Sequence, residues 1–322
     1  MTRWPLIFAA IAFAGLTPLA AQEAEPGPPS EAYPQNSIVV TAQAAGAPMW
    51  VIDDANGTII LVGEIRAVPE ATPWYPDRLE EAAREADRVI LRARPKFSPG
   101  DFFRVLFRGG RFLKLPDKSV AGDYLDPAQR ARLAALEEKY DKDYDRSSFL
   151  ITAFNLLTRQ LDFADDTLDE DATDIVKKAA DKADVPILKP EQFRGEDLLD
   201  SLADADPASH IPCLEAAMTA TEAGTSIIEA RGRDWTRRDV PAVMANPLEV
   251  ALGQCWPWAD PEVGEEIRAQ WIGMIDEARR QGGTSVAVVP LRVLAEEGGV
   301  LDLLEGQGLP IGGPDWRKPG TP

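Results

Sequence analysis

Histidine is almost missing from this chain: His210 is the single one among 322 residues. That scarcity excludes every zinc site built on two or more imidazoles. It also confines any Ser-His-Asp or Cys-His triad to the surroundings of one residue. His210 lies between Ser209 and Ile211 at a predicted helix start, where no spacing supports such a triad. Cysteine is nearly as rare. Cys213 and Cys255 are the only two, which rules out a four-cysteine metal site and a disulfide-dense scaffold. Positive charge is in short supply, with 34 Lys and Arg against 53 Asp and Glu, for a formal net charge of −19. Binding a phosphate backbone needs clustered positive charge, so nucleic acid is excluded as a partner, and an anionic membrane surface is equally unattractive. Long apolar runs are missing too. The longest, Trp4 to Leu16, falls short of the about 20 residues a membrane-spanning helix needs.

What that run does resemble is the core of a secretory signal peptide. It follows Arg3 and precedes the small residues Ala20-Ala21, so residues 1–21 are expected to direct export to the periplasm or outside the cell. In an oxidising compartment Cys213 and Cys255 have only each other, and a bridge would close a loop of about 40 residues. The alternative is a pair of buried free thiols. Residues 22–36 hold four prolines and few apolar groups and read as a disordered tether. With 45% hydrophobic and 27% charged residues, the remainder is long enough for a sizeable core. A single domain over residues 37–312 with a tail at 313–322 is expected.

The periodicity predicts an α/β protein with a mixed central sheet and many covering helices. Pro48–Asp53 and Thr58–Gly63 are apolar runs flanking Ala55-Asn56-Gly57, and an Asn-Gly pair in that setting signals a hairpin. A helix over Pro76–Asp87 leads to the buried-type strand Val89-Ile90-Leu91. Helical spacing then recurs over Asp126–Tyr140, Ser147–Leu161, Asp169–Ala183, Glu196–Leu202, Pro212–Ala230, Val240–Ala245, Pro261–Gln281 and Leu294–Glu305. Short strands are predicted at Val185–Leu188 and Thr284–Val289. Ile38-Val39-Val40-Thr41-Ala42 reads as an edge strand; strand addition to an outer-membrane partner is its functional alternative. The tryptophans Trp50, Trp74, Trp235, Trp256, Trp258 and Trp271 are spread along the chain and read as core residues rather than a saccharide-binding face.

Several segments in this order resemble the TraB/GumN family, whose better-known relatives include metal-dependent proteases of the Tiki type. They are Pro48-Met49-Trp50, Ile60-Leu61-Val62-Gly63 with Pro69 and Trp74, Ala86 to Leu91, Val288 to Arg292, and Gly298 to Leu304 with Gly308. The resemblance implies a Gly-x-x-His at the first strand end, a Glu after the next strand and a second Gly-x-x-His near the C-terminus, together a metal site that activates water. Here those positions read Gly63-Glu64-Ile65-Arg66, Arg92 and Val289-Pro290-Leu291-Arg292. A further acidic position aligns with Lys189, and an Arg-Asn pair of the family reads Ile267-Arg268 ahead of Trp271. A guanidinium offers donors only and stays protonated, so it cannot ligate a cation.

The expectation is therefore a chain with no metal and no cofactor, acting as a non-catalytic binding or scaffold protein of the cell envelope. Its candidate anion site is Arg66, Arg92, Arg292, Lys189 and Glu64, facing a small anionic ligand such as a phosphate, uronate or peptide carboxylate; an envelope protein is the other expected partner. The bland counterpart is that Glu64, Glu191 or another carboxylate pairs with these cations and makes a structural staple. A hydrolase acting on peptides through relocated groups, for instance Glu64 with a remote Asp, is the competing reading.

Overall fold

The computed structural model describes residues 45–92, 113–189, 205–255 and 257–317. The expectations for residues 1–21, 22–36, Ile38–Ala42, Glu191, Glu196–Leu202 and Trp256 lie outside the described residues.

The chain opens with a hairpin of β1 (Met49–Asp54) and β2 (Gly57–Glu64). Its turn forms for a different reason from the one the Asn-Gly pair suggests. The Asp54 carboxylate accepts from the amides of Asn56 and Gly57 at 2.8 and 3.3 Å, an Asx turn over Ala55-Asn56. Gly57 already belongs to β2 and lies against Gly283 of the neighbouring strand, whose carbonyl oxygen would be 2.1 Å from a Cβ at position 57. The glycine serves close strand approach, not a left-handed turn.

Then follow α1 (Asp77–Glu85), β3 (Arg88–Leu91), α2 (Pro127–Tyr140) and α3 (Phe149–Asn155), which continues as a wider turn over Leu156–Gln160. After α4 (Ala172–Lys182) and β4 (Ile187–Leu188) the chain is helical again through α5 (Ile211–Ala223), α6 (Ser226–Thr236), α7 (Val240–Ala245), α8 (Pro247–Gln254) and α9 (Pro261–Gln281). It closes with β5 (Gly283–Pro290), α10 (Leu291–Ala295), α11 (Val300–Gly306) and β6 (Ile311–Gly312).

Three helical segments differ from the periodicity by more than their ends. The expected helix over Pro212–Ala230 is two helices, because Gly224 ends α5 with a positive φ of 79°. Pro247–Gln254 is helical although its periodicity predicts no helix; Asn246 caps it by accepting from the Leu248 amide at 3.0 Å. Leu294–Glu305 is likewise divided, since Glu296 leaves the helical region and Gly298 has a φ of 68°.

The six strands form one mixed sheet in the order β4-β3-β5-β2-β1-β6. The first four run parallel, β1 pairs antiparallel with β2, and β6 pairs antiparallel with β1. Strands covered on both faces read as continuous apolar runs, as in Ile59–Val62 and Val286–Val289, all of them buried. Parallel strands end together. Glu64, Leu91, Leu188 and Pro290 therefore mark one edge of the sheet, where clefts in parallel sheets form.

The core consists of two apolar clusters. One surrounds the sheet and takes in Leu79 of α1, Val176 of α4, Trp235 of α6 and Ile275 of α9. The second is helical, formed by α2, α3, α5 and α8 through Leu133, Phe149, Leu214, Met218 and Leu248. Cys213 and Cys255 lie inside the second cluster with their sulfurs 2.02 Å apart, joining α5 to the end of α8. Past β6, the Trp50 indole donates to the Pro314 carbonyl at 2.8 Å, and Trp316 and Arg317 both bind Asp302 of α11. Among the described residues no helix is long and apolar enough to cross a membrane.

Candidate functional site

Glu64 ends β2 with its side chain buried, which demands partners. One oxygen accepts from the Thr173 amide at the start of α4, at 3.0 Å. The other lies 3.5 Å from Nε of Arg92, just past β3. That Nε is itself buried and makes no hydrogen bond, so the pairing is loose. Burial first, and the nearby Asp171 carboxylate second, push the Glu64 carboxyl above its ordinary value, while Thr173 and Arg92 pull it back without prevailing. A carboxyl raised by folding contributes most below its unfolded value and loses that contribution as pH rises through its folded value. Glu64→Gln should therefore stabilise the protein above the folded Glu64 value, with an advantage that shrinks as pH falls through that value and is gone by about 4.5, the ordinary glutamate value. Thermal unfolding of both proteins across that range checks it; an equal offset at every pH would contradict it.

Beyond Glu64 the chain turns at Ala67, whose φ of 55° is unfavourable for a residue with a Cβ. The turn is held from α6, which presents Arg231 and Trp235 one helical turn apart. Trp235 donates its indole N–H to the Gly63 carbonyl, and Nη1 of Arg231 donates to the Arg66 carbonyl, both at 2.8 Å. Trp74 stacks on Trp235 at 4.7 Å between ring centroids. Trp50, Trp235 and Trp271 are all buried, as core residues should be.

Arg292, one residue into α10 after β5, turns toward α8. Its Nη2 donates to the Glu249 carbonyl and lies 3.0 Å from the Glu249 carboxylate. Arg231 grips the same carboxylate from the other side, through Nε at 2.7 Å and Nη2 at 2.6 Å. Burial opposes charge on Glu249, but the two guanidiniums outweigh it and hold its carboxyl below the ordinary value. Gly253 makes room for this arrangement, since a Cβ there would stand 2.1 Å from Nη1 of Arg292. Two arginines and one glutamate thus lie side by side, with 3, 14 and 6% of the Arg231, Arg292 and Glu249 side chains exposed.

The structure pairs Arg92 with Glu64, and Arg292 with Glu249. The Arg66 side chain is exposed, and no ion pair links it to a described residue. Lys189 is exposed at the end of edge strand β4, also without an ion pair among the described residues. Sequence reasoning missed Arg231 and Glu249. A charged residue inside Pro247-Leu248-Glu249-Val250-Ala251 signals a need for a partner, though not which one. His210 is half-buried at the start of α5, and burial lowers its pKa. Elsewhere, a groove of about 480 Å³ between α1 and α4 is lined by charges that pair with one another, Arg84 with Glu80 and Lys178 with Glu170.

A family model described as the TraB/PrgY/gumN family matches residues 48–311. The chain belongs to the TraB/PrgY/gumN family. Neither the comparison with curated proteins nor that with solved structures found a match. The metal that the family resemblance implies does not fit the strand ends of this TraB/PrgY/gumN protein. Arg66, Arg92 and Arg292 supply donors only, and Glu64, the carboxylate that ends β2, is engaged by Arg92 and the Thr173 amide. Among the described residues, no three His, Cys, Asp or Glu side chains are grouped so as to hold a metal ion.

Proposed function

We propose that this family member is an exported, non-catalytic protein of the cell envelope that binds or scaffolds, with its ligand gripped at the C-terminal edge of the parallel strands. The observation that carries the reading is the buried Arg231–Glu249–Arg292 group: guanidiniums with an internal carboxylate stand beside the strand ends where water-activating chemistry would need cation ligands. Residues 1–21 act in this reading as the export signal, and the disulfide-distance pair of Cys213 and Cys255 suits the periplasm or the exterior. Its small ligand is an anion, and a further envelope protein is the partner of a scaffold role.

One observation favours a second reading. Glu64 is buried at the same edge, and burial with the nearby Asp171 carboxylate raises its carboxyl, which is what a general acid or base of a hydrolase needs. Peptide, ester and phosphoester substrates offered to the purified protein, with and without divalent cations, separate the two. The binding reading expects no turnover that survives purification. Turnover that persists and disappears in Glu64→Gln would establish the hydrolase instead.

A further inference from the structure

Within the binding reading, on which this inference rests, the geometry points to Arg292 and Arg66 as the ligand grip, and to a small oxyanion, carboxylate or phosphate, as the group they hold. The first argument is charge. Arg231 and Arg292 share one carboxylate, so the largely buried group retains one positive charge, and a charge left over in such a setting draws a counter-ion. The second argument is hydrogen-bonding capacity. A guanidinium carries five N–H donors, and Arg292 directs Nη2 to the carbonyl and carboxylate of Glu249. Its Nε and Nη1 have no hydrogen-bond partner among the described residues, and the side chain is 14% exposed. The third is placement. Arg66 is tied by its carbonyl to Nη1 of Arg231, so a second, solvent-exposed guanidinium starts beside the same group.

The other sequence candidates do not join this pair. Arg92 faces the buried Glu64 carboxyl and not the Arg231–Glu249–Arg292 group. Lys189 follows β4, which is separated from β5 by β3. Two strand spacings put it about 10 Å from the end of β5. Arg292 is also held in advance, by Glu249 and against Gly253, so little freedom is lost when an oxyanion binds.

Calorimetric titration of the full-length purified protein with inorganic phosphate, and separately with acetate, at ionic strength matched by chloride, tests the assignment. Arg66→Ala, a change at an exposed residue, should weaken binding about tenfold, the loss of one charge-assisted contact. Arg292→Lys should do the same, and Arg92→Ala and Lys189→Ala should leave binding within about twofold. If Arg292→Lys fails to fold, Arg66→Ala decides alone. Tighter acetate marks a carboxylate ligand and tighter phosphate a phosphorylated one, and both support the site. Wild-type protein that binds neither probe, or binding that Arg66→Ala leaves unchanged, overturns it. Neither result touches the non-catalytic reading, which fails only through turnover.

Discussion

Glu249→Ala lowers the unfolding free energy at neutral pH by about 3–5 kcal/mol, more than any surface charge change in the molecule, because it leaves Arg231 and Arg292 side by side without a counter-charge. The cost comes from the arginines left behind, since a buried ion pair taken as a whole contributes little net stability. Urea unfolding at pH 7 measures it, and the triple change of Arg231→Met, Glu249→Leu and Arg292→Met should restore much of the loss. Glutamate 249 also has a pH signature opposite to that of Glu64. Its folded pKa is depressed, so its contribution is present above the ordinary value and is lost as pH falls through the folded one. A loss below about 1 kcal/mol would mean that water reaches the pair and screens it as it does at a surface.

Cys213→Ala together with Cys255→Ala should cost about 4 kcal/mol, the loop-closure contribution for a bridge spanning 42 residues. Structure sharpens the expectation. Both sulfurs lie in the helical cluster, and Cys255 directly follows α8, the helix that carries Glu249 and Gly253. Unfolding under reducing and oxidising conditions should differ for the native chain and coincide for the double variant. Coincidence for the native chain as well would show that the thiols are free, the alternative left open by the sequence.

Much of the fold was legible because its strands and long helices carry their own periodicity. Pro261–Gln281 and Val240–Ala245 form as read, and Val89–Leu91 forms with one residue added. Where the reading failed, the deciding groups were backbone conformations and caps: Gly224 and Gly298 at positive φ, and Asn246 ahead of Pro247. The hairpin was found through Asn56-Gly57, although Asp54 makes the turn and Gly57 serves contact with Gly283. The site was legible only in part for a related reason. Arg66, Arg92, Arg292 and Lys189 stand at strand ends, and strand order alone predicts that parallel ends share an edge. Which carboxylate each cation meets is a tertiary matter. Glu249 lies 43 residues before Arg292 and 18 after Arg231, and no local pattern connects them.

Thermal unfolding of the purified protein in phosphate, in divalent cations and in chelator, at matched ionic strength, tests the central claim most directly. A ligand that binds only the native state raises stability by about 2.7 kcal/mol at one hundred times its dissociation constant. Phosphate should raise the melting temperature of the native chain about twice as far as that of Arg66→Ala, whose tenfold weaker site gains about 1.4 kcal/mol at the same concentration, while divalent cations and chelator leave it unmoved. A rise with a divalent cation that chelator reverses would show that the protein holds a metal after all, and the guanidinium account of this site would be wrong.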